Sequence, residues 1–73
     1  MAMKVGDLVM FCNTNSRYAK WFYGQLGIVK SYTKALSGGW CRVTWLQPVK
    51  YHDSFSTYSD FSSDNFEVMN ERR

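Results

Sequence analysis

Residues 5–9, 24–29 and 40–46 read Val-Gly-Asp-Leu-Val, Gly-Gln-Leu-Gly-Ile-Val and Trp-Cys-Arg-Val-Thr-Trp-Leu. Each segment has the apolar and β-branched residues typical of a strand, or of the turn that begins one, and glycines separate the segments. Apolar and polar side chains alternate in residues 40–46, which predicts an inner face formed by Cys41, Val43 and Trp45. Together the three segments predict a small, five-stranded, all-β barrel, closed as a cylinder.

The remaining strands follow from shorter signals. We place strands at residues 7–12, 40–46, 54–59 and 66–69, and another from the Gly24–Gly27 segment to Tyr32, with a bulge near Gly27 where simple alternation breaks. Ser37-Gly38-Gly39 suits a hairpin, and residues 62–65 suit one helical turn, since Ser and Asp cap such turns well. The predicted core is Val5, Val9, Phe11, Leu26, Val29, Cys41, Val43, Trp45, Phe66 and Val68.

Chain length and composition predict one domain over residues 1–73. A domain of this size buries only about 60% of the surface of its unfolded chain, and an aromatic content of 18% supplies large rings for a thin core. We interpret Cys12 and Cys41 as reduced, although one bridge between two strands is the alternative. Reduced thiols and the absence of a long apolar run predict the cytoplasm, or the host-cell cytoplasm if a phage encodes the chain, and no membrane partner.

Basic residues are concentrated in the first two thirds of the chain. Residues 1–50 carry seven Lys or Arg residues and one Asp, a net charge of +6, whereas residues 51–73 carry a net charge of −3. This asymmetry favours an anionic partner for the first segment. The alternative is that the two sets of charges lie together on the folded surface and balance each other.

The glycine pattern resembles that of a known family. Gly6-Asp7-x-Val9 followed by Gly24-x-x-Gly27-x-Val29 resembles the opening of KOW-type and related SH3-like barrels. The resemblance covers the first three strands and implies an SH3-like barrel with one short helical turn before the last strand. The first loop is longer than in the KOW pattern, so that family's roles in ribosomes and transcription are not carried over. A signalling SH3 domain is not indicated, because its acidic first loop and Trp-Trp pair are missing.

Two further groups share the same layout. Lys20-Trp21-Phe22-Tyr23, Gly27-Ile28-Val29 and Asn65-Phe66-Glu67-Val68 resemble the corresponding segments of the small peripheral subunit IV of photosystem I. The opening Lys4-Val5-Gly6-Asp7-Leu8-Val9, with Phe66-Glu67-Val68 near the end, is similar to uncharacterised barrels encoded by marine phages, notably phages of cyanobacteria. These resemblances imply a fold and a possible phage accessory role, and they name no specific partner.

Catalytic groupings are poorly represented in the sequence. The single histidine, His52, precedes Asp53 in a predicted loop, and adjacent side chains rarely form an acid–base pair. Cys12 and Cys41 have no nearby activating base, and two cysteines with one histidine lack zinc-ligand spacing. Gly38-Gly39 is too short for a phosphate-binding loop. We therefore predict no enzyme activity, no cofactor and no metal site.

The best candidate for a binding site combines cationic and aromatic side chains in and after the first loop. Cations neutralise phosphates, and aromatic faces stack on bases with about 1–3 kcal/mol per base, a combination that small barrels use to bind single strands. The alternative is that Trp21, Phe22 and Tyr23 close one end of the barrel as core. The candidate binding patch is Arg17, Tyr18, Lys20, Trp21, Tyr23, Tyr32, Lys34 and Arg42, joined by Trp40.

A second interpretation assigns the same rings to protein binding, because Tyr and Trp present an apolar body with a polar tip. Tyr51, Phe55, Tyr58 and Phe61 either form the opposite wall of a groove or only cover the barrel. Exposed strand edges of such barrels also accept an added strand or pair with a second copy. We predict a non-enzymatic protein-interaction or assembly module, with a protein partner or self-association, and a nucleic-acid-binding barrel as the alternative.

Overall fold

The fold is one antiparallel sheet of five strands with two short helical turns. A computed structural model describes residues 3–35 and 38–69. The strands lie in the order β4-β3-β2-β1-β5, and each pair of neighbours is antiparallel. The predicted all-β fold, with five strands and a helical turn before the last one, is confirmed. The elements are β1 (Leu8–Phe11), α1 (Ala19–Phe22), β2 (Leu26–Ala35), β3 (Gly38–Tyr51), β4 (Ser54–Ser62), a 3₁₀ turn (Ser63–Asn65) and β5 (Phe66–Val68).

The two ends of the sheet meet through side chains, and the predicted closed cylinder is wrong in this respect. Among the described residues, β4 pairs only with β3 and β5 only with β1, so the sheet is not closed by hydrogen bonds. The ring of Phe61 in β4 instead packs 5.1 Å from Phe11 and 6.0 Å from Phe66, measured between centroids. The final strand has three residues, and all three pair with β1.

The core lies on the inner face of this sheet and is rich in large rings. Seven of the ten predicted core residues are buried, and Val68 is half-buried against them. Met3 and Val49 join the core although they were not predicted, and so does Phe22, which was predicted as core only in the alternative interpretation of the first loop. The buried apolar residues are Met3, Val9, Phe11, Phe22, Val29, Cys41, Val43, Trp45, Val49 and Phe66.

Two predicted core residues, Val5 and Leu26, are exposed. Val5 is 62% exposed because it lies in a turn that precedes β1. Leu26 pairs with Met10 and shares the outer face with Ile28, two residues further along β2. The prediction placed Leu26 and Val29 on the same face, which requires a bulge between them.

The bulge in β2 lies later than predicted, between Val29 and Ser31, and the register with β3 is regular at Gly27. Gly27 is instead a point of close approach between strands. A β-carbon there would lie 2.8 Å from the Thr44 carbonyl oxygen and would overlap the side chain of Val43. Glycine is therefore required at this position by space, since any side chain would displace β3.

The two long hairpins extend further than the sequence indicates. Strands β2 and β3 pair as far as Ala35 and Gly38, while Ser37 of the predicted hairpin turn lies outside the described residues. β3 continues past Leu46 because Pro48 lies where the register with β4 shifts, a position that needs no ladder hydrogen bond. β4 likewise runs to Ser62. The helix α1 in the first loop was not predicted, because one turn is too short to show a helical period.

Candidate binding surfaces

The aromatic side chains of the first loop, between β1 and β2, are divided between core and surface. Phe22 is buried, Tyr18 and Trp21 are half-buried against the core, and Tyr23 is exposed. The two alternatives for these rings therefore apply to different residues: Phe22 closes the core, whereas the other three rings remain partly or fully open to solvent.

A network of ring contacts fixes the first loop on the sheet. The ring centroids of Trp21 and Tyr51 are 4.8 Å apart, and those of Tyr18 and Phe61 are 5.5 Å apart. Phe22 packs 5.3 Å from Phe61, again between centroids. The loop therefore contacts both β3 and β4. Each edge-on or tilted ring pair adds stabilisation beyond that of the apolar area that it buries.

One cavity, here called the basic groove, lies between α1 and the turn joining β3 to β4 and has a volume of about 530 Å³. Lys20 Nζ lies 4.6 Å from the centroid of the Trp21 ring, which is 4.8 Å from the His52 ring. In the described part of the chain, neither Lys20 nor Lys50 forms an ion pair with a carboxylate. The groove is lined by Lys20, Trp21, Gln25, Gln47, Pro48, Val49, Lys50, His52 and Phe55.

His52 holds an unusual backbone conformation at the rim of the basic groove. Its φ is +56°, in the left-handed region that favours glycine. The ring packs 4.2 Å from Tyr51 and 4.8 Å from Trp21, between centroids. The His52 ring thus packs against two aromatic neighbours at a turn position where glycine would be less strained.

A second cavity, here called the edge pocket, runs beside β4 and has a volume of about 330 Å³. Its lining comes from both faces of the sheet: Ser59 and Phe61 pair with the buried Val43 and Cys41, whereas Asp60 is on the outer face. We interpret a cavity with lining residues from both faces as one that lies along the edge of the strand. Its lining residues are Tyr18, Phe22, Trp40, Tyr51, Ser56, Ser59, Asp60 and Phe61.

The outer face of the sheet carries a row of side chains across four strands. Leu8, Ile28, Thr44 and Tyr58 are consecutive cross-strand partners. The row ends at Tyr58 on β4, where the ring is 52% exposed. Large apolar or aromatic residues exposed on this face of β3 and β4 include Trp40, Leu46 and Tyr58.

Arg42 lies on this outer face and is already engaged. Its Nε and Nη2 donate to the two carboxylate oxygens of Asp60 at 2.8 and 3.0 Å, and its guanidinium lies 4.8 Å from the centroid of Tyr58. The hydrogen bond from Arg42 lowers the pKa of Asp60, and the same bond raises the pKa of Arg42. This ion pair joins the basic first segment to the acidic second one, so the two charge sets balance at this point.

The candidate patch is thus only partly assembled in space. Lys20 and Trp21 line the basic groove, and Tyr18 lines the edge pocket. Lys50 and Ser56 belong to the same cavities but were not predicted, because their position depends on how the first loop packs on the β3–β4 hairpin. The predicted residues that line neither of these two cavities are Arg17, Tyr23, Tyr32, Lys34 and Arg42.

Both thiols are free, and the pKa of each is raised. Both cysteines are unpaired, with Cys41 buried and Cys12 half-buried. Burial, and secondarily the charge of Asp60, raises the pKa of Cys41 to about 11, and burial with Glu67 raises the pKa of Cys12. Within residues 3–35 and 38–69, no three His, Cys, Asp or Glu side chains are grouped as metal ligands.

Comparison with known proteins adds no relative: no protein-family model, curated protein or solved structure matches the chain. In the described residues, no helix has the length and apolar character needed to cross a membrane. The features of the molecule that bear on function are therefore the basic groove, the edge pocket and the outer face.

Proposed function

We propose that this chain is a non-enzymatic protein-interaction or assembly module that binds its partner through the β3–β4 side of the sheet. The observation that carries the proposal is the exposure of large apolar side chains there, with Trp40 at 58%, Leu46 at 56% and Tyr58 at 52%. Single exposed apolar residues are ordinary, but a contiguous group of them marks an interaction surface. A small domain needs its apolar area for the core. Apolar side chains that it leaves exposed together are therefore stronger evidence of an interaction surface than they would be in a larger domain.

The contiguity of the group follows from the strand register. Trp40 and Leu46 lie on the outer face of β3, as does Thr44, whose cross-strand partner is Tyr58. Tyr58 also contacts Arg42 between Trp40 and Thr44. Aromatic rings beside an arginine form the kind of surface that is enriched in protein interfaces.

The chemistry of the thiols supports a binding role over catalysis. A thiol whose pKa is about 11 remains protonated at neutral pH, so Cys41 is a poor nucleophile. His52 packs against the rings of Trp21 and Tyr51, and in the described part of the chain no carboxylate forms an ion pair with it. Two free thiols also suit the reducing cytoplasm, which we propose as the compartment, that of the host cell if a phage encodes the chain.

Cross-linked capture from a lysate tests the proposal with a matched pair of variants. Tyr58→Ser removes a ring from the proposed surface, and Tyr23→Ser removes one of equal exposure, 52%, from the first loop. We expect a protein partner to be captured by the wild type and by Tyr23→Ser, and its recovery to fall about tenfold with Tyr58→Ser. Equal recovery by both variants would contradict binding through this face.

A second candidate function, binding of single-stranded nucleic acid, is favoured by the basic groove. There the ammonium of Lys20 lies against the Trp21 ring, and Lys50 adds a second cation without an ion-pair partner among the described carboxylates. Cations that contact phosphates beside a ring on which a base stacks are the usual elements of sequence-tolerant binding.

Titration of a labelled oligothymidylate at several salt concentrations tests this second candidate. For single strands, the slope of log affinity against log salt is about −0.7 per neutralised phosphate, so Lys20→Ala with Lys50→Ala should make the slope less negative by about 1.4. Lys30→Ala with Lys34→Ala, two exposed lysines of β2 outside the groove, is the control. An absence of binding at low salt, or equal slopes for both double variants, would refute it.

A further inference from the structure

The strand β4 is the exposed terminal strand of the sheet. It pairs with β3 on one side, and no other strand in the described residues pairs with its opposite side. None of its nine residues is buried, and Phe55 and Tyr58 are among the exposed ones. A terminal strand of this length presents backbone N–H and C=O groups that can pair with another extended chain.

The edge pocket lies where the side chains of an added strand would fall. Because it is lined from both faces of β4, it follows the edge of the strand instead of opening on one face alone. Successive side chains of a strand point to opposite faces, so every second residue of an added strand would point toward Tyr18, Phe22 and Phe61. The residues between them would point toward the exposed rings of the outer face.

We propose that β4 accepts an extended segment of a partner protein as an added strand, with an apolar side chain of that segment in the edge pocket. This inference rests on the proposed function and specifies how the partner binds. Strand addition takes its affinity from main-chain hydrogen bonds and its specificity from pockets for alternate side chains. Both elements are present here: the edge of β4 that pairs with no other strand in residues 3–35 and 38–69, and the ring-lined pocket beside it.

Charge complementarity indicates an acidic segment. Lys20 and Lys50 lie at the end of β4 that follows the turn at His52, and neither has an ion-pair partner in the described part of the chain. The one carboxylate on β4, that of Asp60, is already bound by Arg42. A partner with carboxylates near Lys20 and Lys50 gains favourable interactions. In an antiparallel pair of two β4 strands, the carboxylate that β4 of a second copy would bring to this end is that of Asp60, which is already bound by Arg42.

Binding to an array of synthetic nonapeptides tests the proposal. The array varies one central position among Ala, Val, Phe and Trp, and the flanking positions among Glu, Ser and Lys. We expect the best peptides to combine a large apolar centre with Glu on the side of Lys20 and Lys50. Methylation of alternate backbone nitrogens should then abolish binding in one set of positions and leave it unchanged in the other, because only one set faces β4.

A matched pair of variants locates the peptide. Ser56→Trp fills the edge pocket without removing a core ring, and Thr57→Trp places the same side chain at the next residue, which is exposed and outside the pocket. We expect peptide binding to weaken about tenfold or more with Ser56→Trp and less than about twofold with Thr57→Trp. Thermal melts of both variants establish that each is folded, and amide exchange of β4 should slow in the complex.

The outcomes separate this inference from the proposed function. Peptides that bind regardless of backbone methylation and are lost with Tyr58→Ser would overturn strand addition and leave protein binding intact. If no peptide binds but a folded partner is captured through Tyr58, strand addition is likewise overturned and protein binding stands. A dimer in sedimentation that is disrupted by Ser56→Trp would show that a second copy occupies the edge. An oligonucleotide that slows amide exchange in β4 would assign the edge to nucleic acid. Either result overturns the inference.

Discussion

The indole Nε1 of Trp45 donates a hydrogen bond to Ser59 Oγ at 3.0 Å. The bond crosses from β3 to β4 on the inner face, where the cross-strand partner of Ser59 is Val43. Trp45 is buried, so this hydroxyl satisfies the one polar atom of a large core ring. Ser59 thus satisfies a core side chain, although none of the residues of β4 is itself buried.

Loss of this hydroxyl should destabilise the fold. We expect Ser59→Ala to lower the free energy of unfolding by about 1–3 kcal/mol, because the indole N–H would lose its partner. Urea denaturation measures the change, and Ser54→Ala, at the exposed start of β4, is the control. In a double-mutant cycle, Trp45→Phe should reduce the effect of Ser59→Ala; equal effects in both backgrounds would show that the hydrogen bond contributes nothing.

An added methyl group at Gly27 should separate β2 from β3. We expect Gly27→Ala to cost about 1–3 kcal/mol or more, because the new β-carbon would meet the backbone oxygen of Thr44 as well as the Val43 side chain. Ser31→Ala, an exposed position of the same strand, should melt close to the wild-type temperature. A wild-type melt for Gly27→Ala would mean that the strands are further apart than described.

A charge at Val43 should prevent cooperative folding. Val43 is fully buried, and Val43→Asp would place an unpaired carboxylate in the core, where its desolvation exceeds the stability of a small domain. Thr44→Asp, on the outer face, should keep a sharp thermal transition followed by circular dichroism. If Val43→Asp melted sharply, the assignment of the inner face would be wrong.

The Cys41 thiol should make stability depend on pH in alkali. The thiol ionises near its ordinary pKa of 9.0 when the chain is unfolded and near 11 when it is folded, so the folded state binds the proton more tightly. The contribution of the protonated thiol to the free energy of unfolding is fully present below about pH 9 and is lost as the pH rises toward 11. Denaturation between pH 8 and pH 11 should show a shallower loss of stability for Cys41→Ala than for the wild type, and parallel curves would refute this assignment.

The alternation of β3 made its inner face predictable from the sequence. Cys41, Val43 and Trp45 are buried as expected, because a regular strand with one covered face has a period of two. The same reasoning placed Leu26 incorrectly, since the position of a bulge depends on contacts with the neighbouring strand. The tight approach of Gly27 to Thr44 became visible only with the register of β2 and β3.

The binding surfaces were harder to predict than the core. Tyr18, Lys20 and Trp21 lie in one segment of the sequence, but Lys50 is 30 residues after Lys20 and Ser56 is 38 residues after Tyr18. Only the packing of the first loop on the β3–β4 hairpin brings them together. No local pattern encodes that contact, and the exposed edge of β4 likewise depends on the order of strands in the sheet.

The pairing of β1 with β5 also bears on the order of folding events. Val9 and Phe11 meet Val68 and Phe66, more than fifty residues away, whereas β2, β3 and β4 are joined in turn by short connections. Closing a long loop costs more entropy than closing a hairpin, so the three-strand meander should form early and β5 should dock late. If β5 docks late, substitutions at Val43 should chiefly slow refolding. Substitutions at Phe66 should chiefly speed unfolding of the native state.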